Sequence, residues 1–420
     1  MGLIKTSILN AIAVIIKMLT LLGINKILAI YVGPAGYAAL GQFQNAVQMI
    51  TTFASGAVNT GVVKYTAEYH ADPDKQIAVW RTAGTITIYG SLFSALLIAI
   101  LNKPLAQWFL QDQSYGSVFL WFSATLVFFT LNTLLLAILN GKKDVVKYVI
   151  ANILGSIFTL IITTVMAVKF GIYGALVSLA IYQSLAFFVT LIICLKAPWF
   201  RIGNLYGKVD KKVAINLAKY TAMAVTSAVC VPLTQIFIRN HIGQTLGWES
   251  AGYWEAMWRL SSAYLLFFTT VLGVYYLPRI SEITDFKELK KEIWAGYKLI
   301  FPLTVFSGLL VYLLRDWIIV FLFSKDFLPM SSLFAWQMVG DSLKIASWLL
   351  AYIMLGRAYV KLFIVSEIFF SLFFCFMVFN FTSYFKLEAA SIAYAINYLF
   401  YFIFIFISLF NIKYKGFEYE

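Results

Sequence analysis

Seven ionisable residues stand inside apolar runs where a lipid-facing helix tolerates none. Lys17, Lys26, Glu255, Arg259, Asp341, Lys344 and Glu367 are each flanked by long stretches of Leu, Ile, Val, Phe and Ala. A charge at the centre of such a segment costs about 2.5 to 3.5 kcal/mol on insertion scales, so these positions are functional candidates by default. The basic members, Lys17, Lys26, Arg259 and Lys344, are suited to a cationic cavity that takes an anionic head group such as a pyrophosphate. Lysine acts there as a point charge, and arginine reaches two phosphate oxygens at once. The acidic members, Asp341, Glu255 and Glu367, are suited to exchanging H+ or Na+ and so to coupling an ion gradient to movement. Glu255 and Arg259 are spaced i,i+4 and Asp341 and Lys344 i,i+3, so an ion pair within the helix is expected at both places.

The elements that must hold these residues are membrane helices. A crossing needs roughly 20 apolar residues with all backbone groups satisfied internally. Twelve stretches qualify, near 5–32, 36–63, 78–101, 117–140, 146–168, 174–196, 213–238, 251–277, 297–320, 331–355, 362–382 and 389–412. In the second, Asn45, Gln48, Thr52, Ser55 and Asn59 recur at steps of three and four, which predicts one continuous polar face on one helix. Hydrocarbon cannot satisfy those groups, so the stripe should line a wet cavity or bond to other helices. The segment DFKELKKEIW, from Asp285 to Trp294, reads as an amphipathic helix resting on the bilayer surface.

Composition agrees with this class and excludes others. The chain is 61% hydrophobic and 12% charged, against about 25% charged in soluble domains, and its mean hydropathy is +0.84. Of the 32 Lys and Arg, 22 fall at the termini or in the even-numbered gaps and six in the odd-numbered gaps, Arg239 counted among the six. By the positive-inside rule both termini are then cytoplasmic. The net charge of +13 is an orientation signal and a match to anionic lipid, not a nucleic-acid footprint. No nucleotide-binding loop, metal-ligand cluster or nucleophile constellation is present, so neither an enzyme nor a cofactor or bound metal is expected. Cys194, Cys230 and Cys375 are scattered in the spans and read as small core residues.

The chain also repeats itself at an offset near 215. Ala35-Gly36-Tyr37 matches Ala251-Gly252-Tyr253, Lys64 matches Arg279, and Gly141-Lys142 matches Gly356-Arg357, in order and at the same helix count. Six helices per half is even, so both halves share one orientation and are related by an axis along the membrane normal. The expected fold is thus an all-α polytopic membrane protein of twelve transmembrane helices. They form two six-helix lobes, 1–205 and 206–420, related by a pseudo-two-fold, with a central cavity. The boundary is the basic stretch 197–212, interrupted by Pro198, Gly203 and Gly207. Such a duplicated plan suits alternating access.

VGPAGYAALGQFQN, VVKYTAEYH, YYLPRISEI and LFAWQMVGDSLKIASW resemble the Wzx branch of polysaccharide flippases in the multidrug/oligosaccharidyl-lipid/polysaccharide exporter superfamily. The resemblance implies a Gram-negative inner-membrane protein that moves an undecaprenyl-pyrophosphate-linked oligosaccharide, an O-antigen repeat unit, to the periplasmic leaflet with ion coupling. It also implies polysaccharide polymerase and chain-length proteins as partners. Lys17, Lys26, Arg259, Asp341 and Lys344 match the family's charged helix positions. Alternatives are a flippase for the enterobacterial common antigen unit, a drug or cation exporter of the same superfamily, and a membrane-embedded O-antigen polymerase or ligase. The excess of in-span cations weighs against the cation exporter. The short gaps on the periplasmic side leave little room for a catalytic loop.

Overall fold

The computed structural model describes residues 3–276, 279–280, 283, 285–356 and 359–416. Among them the chain is built of helices. It divides into two compact units, Met1–Pro232 and Leu233–Glu420. That division lies inside a helix, whereas the lobe boundary read at 205/206 is one of helix count.

The first unit opens with α1 (Leu3–Ala54), 52 residues long. At about 1.5 Å per residue this far exceeds one bilayer. The helix is broken at Gly33, whose backbone sits at φ 68°, just before Pro34. Glycine alone enters that region freely, and a residue preceding proline disfavours the helical one. Next come α2 (Asn59–Glu68), α3 (Pro73–Ile100), α4 (Asn102–Leu110), α5 (Gly116–Gly141) and α6 (Val145–Leu195). α6 repeats the device of α1: its 51 residues turn at Gly171, φ 55°. α7 (Lys211–Leu246) leads across the division. The first unit packs α5 on α6, α1 on α6 and α3 on α5, around Val62, Val79, Trp80, Leu134, Leu135, Ile138 and their neighbours.

The second unit contains α8 (Trp248–Val271), which ends in a wide π turn over Leu272–Tyr276. It continues with α9 (Phe286–Leu313), α10 (Arg315–Leu322), α11 (Phe334–Gly356), α12 (Val360–Phe385) and α13 (Ala389–Gly416). Here α11 packs on α13, α9 on α11 and α12 on α13, around Leu265, Phe268, Ile345, Leu349, Phe370, Tyr401 and Ile405. The element order of the first unit recurs. α3 and α9 are both 28 residues long, and each is followed after one residue, Leu101 or Leu314, by a short helix, α4 or α10. Both short helices expose tryptophan, Trp108 and Trp317, a residue that favours the lipid–water boundary.

Six helical runs among the described residues are long and apolar enough to cross a membrane, and three of these run 40, 51 and 50 residues. α8 and α11, which carry Glu255, Arg259, Asp341 and Lys344, are not among the six.

Two sequence readings need correction. The polar face of span 2 is not carried on one continuous helix. α1 stops at Ala54, Gly56 and Ala57 take positive φ of 63° and 50°, and the chain restarts as α2. The break is held from α3: Thr87 Oγ1 donates to the Ser55 carbonyl at 3.4 Å. Gly90 completes the contact, since a Cβ there would lie 2.5 Å from the Ala54 carbonyl oxygen. The second correction concerns DFKELKKEIW. It is not a separate surface helix but the first turns of α9, capped by Asp285 accepting from the Glu288 N–H and tied to Arg279 by Glu288 at 3.0 Å and Glu292 at 3.7 Å. Nothing between Trp294 and Tyr297 terminates the helix, so the amphipathic turns run straight into the apolar ones.

Candidate functional site

Three helices of the second unit converge on Asp341. α8 turns Trp254, Trp258, Ser261, Leu265 and Phe268 inward at steps of four and three, which is helical periodicity with one hydroxyl set among apolar groups. α11 contributes Gln337, Asp341, Lys344 and Trp348, and α13 contributes Ser391, Tyr394, Tyr398 and Tyr401. Gly340 is required for this meeting, because a Cβ on it would fall 2.3 Å from Tyr394 Cδ1. The tyrosine ring therefore packs directly on the backbone of α11.

Asp341 is fully buried, and its carboxylate is saturated with neutral donors. Tyr264 OH donates to Oδ2 at 2.5 Å, beside a short hydrogen bond from Ser261 Oγ. Tyr394 OH donates to Oδ1 at 2.9 Å, and Gln337 Nε2 reaches the same oxygen at 3.4 Å. Gln337 also donates to Ser261 Oγ at 3.1 Å and accepts from Ser391 at 3.3 Å. The expected Asp341–Lys344 ion pair is absent among the described residues. A carboxylate offers about four lone-pair sites, and four donors from three helices already use them.

Lys344 Nζ lies instead among aromatic rings, 5.3 Å from Trp258, 5.0 Å from Trp348, 5.7 Å from Tyr394 and 5.4 Å from Tyr398. Glu367 on α12 is half-buried and has no hydrogen bond or ion pair among the described residues.

The other expected pair is formed, and it is larger than expected. Arg259 Nε donates to Glu255 Oε1 at 2.6 Å, and Arg239 donates to Glu255 Oε2 at 2.5 Å. Arg239 was assigned to a gap between spans. In the structure it lies on α7 with no exposed surface, its guanidinium over Trp254 at 5.6 Å. One carboxylate thus bridges two guanidiniums.

The sites of the first unit lie on α1, α2 and α5. Lys17 is exposed on α1 and Lys26 half-buried. In the polar stripe, Asn45 and Ser55 are buried, Thr52 is half-buried and Gln48 exposed. Thr52 Oγ1 turns back to the Gln48 carbonyl at 2.8 Å and Ser55 Oγ to that of Thr52 at 3.1 Å. Asn59, beyond the break, reaches another helix and donates to Thr133 at 3.3 Å. On α5, Asn132 donates to Gln183 at 2.5 Å. Ser261, Tyr264, Tyr394 and the rings around Lys344 are the members that the sequence reading missed. Tyr394, Tyr398 and Tyr401 do recur at helical spacing, but aromatic stripes of that kind are usual in a membrane bundle.

The fold is one shared by membrane transporters of known structure. The structure resembles an inward-facing multidrug resistance MATE family transporter of the MOP superfamily with a TM-score of 0.75, covering 95% of this chain and 96% of that one at 14% identity. An outward-facing MATE family transporter of the same superfamily matches with a TM-score of 0.64, 94% coverage of both chains and 15% identity. Residues 3–284 match the family described as polysaccharide biosynthesis protein, and the chain belongs to that family. It is 29% identical over 368 residues to the lipid III flippases of Escherichia coli (strain K12) and Shigella flexneri, covering 88% of this chain and 88% of each relative. The resemblance to polysaccharide flippases of this superfamily is thereby borne out.

Proposed function

We propose that the protein is a flippase that carries an undecaprenyl-pyrophosphate-linked oligosaccharide, an O-antigen repeat unit, from the cytoplasmic to the periplasmic leaflet of a Gram-negative inner membrane. The observation that carries this reading is Lys344, a cation in the middle of a membrane helix with no ion-pair partner within 4.0 Å among the described residues. A cargo with a diphosphate head group supplies the missing anion. Arg259, which shares the Glu255 carboxylate with Arg239, is a second proposed contribution of the C-terminal lobe. Lys17 and Lys26 are the proposed contributions of the first lobe, with Asn45, Gln48, Thr52, Ser55 and Asn59 as the proposed polar lining of its cavity. Asp341, Glu255 and Glu367 remain the carboxylates proposed for H+ or Na+ coupling. Of these, Glu367 has no hydrogen-bond partner among the described residues that would oppose ion exchange.

The membrane topology is part of the proposal. Three of the six apolar runs are long enough for two crossings each, and α7, α8 and α11 complete twelve, in lobes 1–205 and 206–420. The distribution of Lys and Arg supports cytoplasmic termini. Alternating access would then move the head group across while the lipid tail stays in hydrocarbon. Labelling of single cysteines at Gly207 and Lys290 from the cytoplasmic side alone is the expected result, and labelling from the periplasm would overturn the map.

A second reading takes lipid III, the cargo named for the two relatives, as the cargo here. Complementation separates the two readings. The chain is expressed in one host lacking its O-antigen flippase and in another lacking its lipid III flippase. Return of O-antigen alone supports the first reading, and return of the lipid III-dependent glycan alone supports the second. Failure in both hosts with a stably inserted protein contradicts both.

A further inference from the structure

Lys344 follows Asp341 by three residues on one helix, the spacing at which an ammonium and a carboxylate ordinarily pair. Both sides of the missing pair have a structural cause. The Asp341 oxygens are claimed by Ser261, Tyr264, Tyr394 and Gln337. The Lys344 ammonium is claimed by four rings at 5.0 to 5.7 Å. A ring face attracts a cation through its quadrupole, but it is not a hydrogen-bond acceptor of the ordinary kind. Nζ carries three N–H donors, and among the described residues no acceptor reaches any of them.

The rings are braced against one another. Trp258 meets Tyr394 edge-on with centroids 5.7 Å apart, and Tyr394 meets Tyr398 at 4.8 Å. Tyr394 is fixed twice more, by its hydroxyl on Asp341 and by the bare backbone of Gly340. The cage is thus assembled from α8, α11 and α13, and Tyr394 is at once a wall of it and a donor to the carboxylate. Asp341 and Glu367 are the two carboxylates whose charge reaches Lys344, yet neither touches it. A carboxylate partner would neutralise the ammonium and use its donors. A wall of rings holds the charge in place and leaves the donors unused.

We infer that Trp258, Trp348, Tyr394 and Tyr398 are positioning residues for cargo recognition: they keep the Lys344 ammonium off Asp341 and present its N–H donors to the diphosphate of the lipid-linked cargo. The inference rests on the cargo class proposed above. It goes further in assigning diphosphate selectivity to uncharged rings that make no bond to phosphate.

The test measures binding of two probes, undecaprenyl diphosphate and uncharged undecaprenol, to the purified full chain in nanodiscs. The wild-type protein is compared with Lys344→Gln, with the ring-deleting variants Trp258→Leu and Trp348→Leu, and with the ring-preserving Trp258→Phe and Trp348→Phe. The wild-type preference for the diphosphate is expected to fall about tenfold in both leucine variants and to stay within about twofold in the phenylalanine ones. Two leucine variants are used so that poor folding of one leaves the other. A general loss of packing would weaken both probes together and leave their ratio unchanged. Loss of the preference in Lys344→Gln with its retention in the leucine variants overturns the cage and leaves the cargo reading intact. Retention of the preference in Lys344→Gln removes Lys344 from head-group recognition and overturns the cage, whereas equal binding of the two probes by the wild-type protein overturns the cargo reading itself.

Discussion

The two halves of this chain share a helical plan and fill it with different chemistry. In the first unit Asn59 bonds Thr133, Asn132 bonds Gln183 and Trp80 bonds Thr66, all neutral pairs, and the charged contacts, Lys142 on Gln76 and Lys147 on Asp144, sit at the helix ends. In the second the polar contacts inside the bundle centre on charges: Arg239, Glu255 and Arg259 in one cluster, Asp341 and its four donors in another, and Lys344 among its rings. The two units therefore share the order of their helices. They differ in the identity of the few polar groups turned inward. Neutral amides are satisfied by one partner and are silent when satisfied. Buried charges need several partners, and each leaves a field that a ligand or an ion can answer.

The difference should be largest in stability when one charge is removed from each cluster type. Glu255→Ala removes the carboxylate from Arg239, which has no exposed surface, at an expected cost of about 3 to 5 kcal/mol. The matching neutral deletion, Asn132→Ala, breaks one hydrogen bond and should cost about 1 to 3 kcal/mol. Thermal unfolding of the purified proteins in detergent ranks the two, and equal losses would erase the contrast between the halves.

Next in size is the Asp341 network. Tyr264→Phe removes a hydroxyl donor from a buried carboxyl group, a change worth about 1 to 3 kcal/mol. Because Asp341 and Lys344 are not paired, replacing Lys344 with Met should not rescue Asp341→Asn. A double-mutant cycle on protein abundance measures this, and full rescue by the second change would restore the ion pair that the structure lacks.

The charged positions were legible in the sequence, because one Lys or Asp in twenty apolar residues stands out at once. Their partners were not. Asp341 and Lys344 at i,i+3 predict a pair within α11, and only the arrival of Tyr264 and Tyr394 from other helices decides otherwise. Arg239 was misplaced by a span ended at residue 238, where the helix runs on to Leu246. The helix break after Ala54 had a weak signal in Gly56 and none in Ala57, whose positive φ is imposed by the surrounding packing. The glycine turns at Gly33 and Gly171 fall in the gaps between spans 1 and 2 and between spans 5 and 6, because proline and glycine act locally and tertiary context rarely overrides them.

Lys17 offers a smaller and cleaner comparison. It is exposed on α1, so Lys17→Gln should change stability by less than about 0.5 kcal/mol while glycan export falls strongly and Lys17→Arg partly retains it. Normal export by an inserted Lys17→Gln protein would remove the first lobe from head-group recognition.

The smallest effect lies outside the membrane, at the start of α3. Asp72 caps that helix, and its hydrogen bonds to the Lys75 side chain and backbone N–H hold its carboxyl below the usual value. A group with a depressed folded-state pKa stabilises above its unfolded value, about 4, and loses that contribution as pH falls through the folded one. Asp72→Ala should therefore lower the unfolding temperature slightly at pH 7 and not at pH 2.5. An equal loss at both would place the effect elsewhere than in the ionised cap.

The central claim is that the charges of the second unit serve an anionic lipid-linked cargo. Transbilayer movement in vesicles containing only the purified chain tests it most directly, with one short oligosaccharide attached either to undecaprenyl diphosphate or to a neutral polyprenyl carrier. The diphosphate-linked cargo is predicted to cross with the wild-type protein and to stall with Lys344→Gln, while the neutral cargo moves poorly with both. Equal transport of the two cargoes, unaffected by Lys344→Gln, would contradict the account.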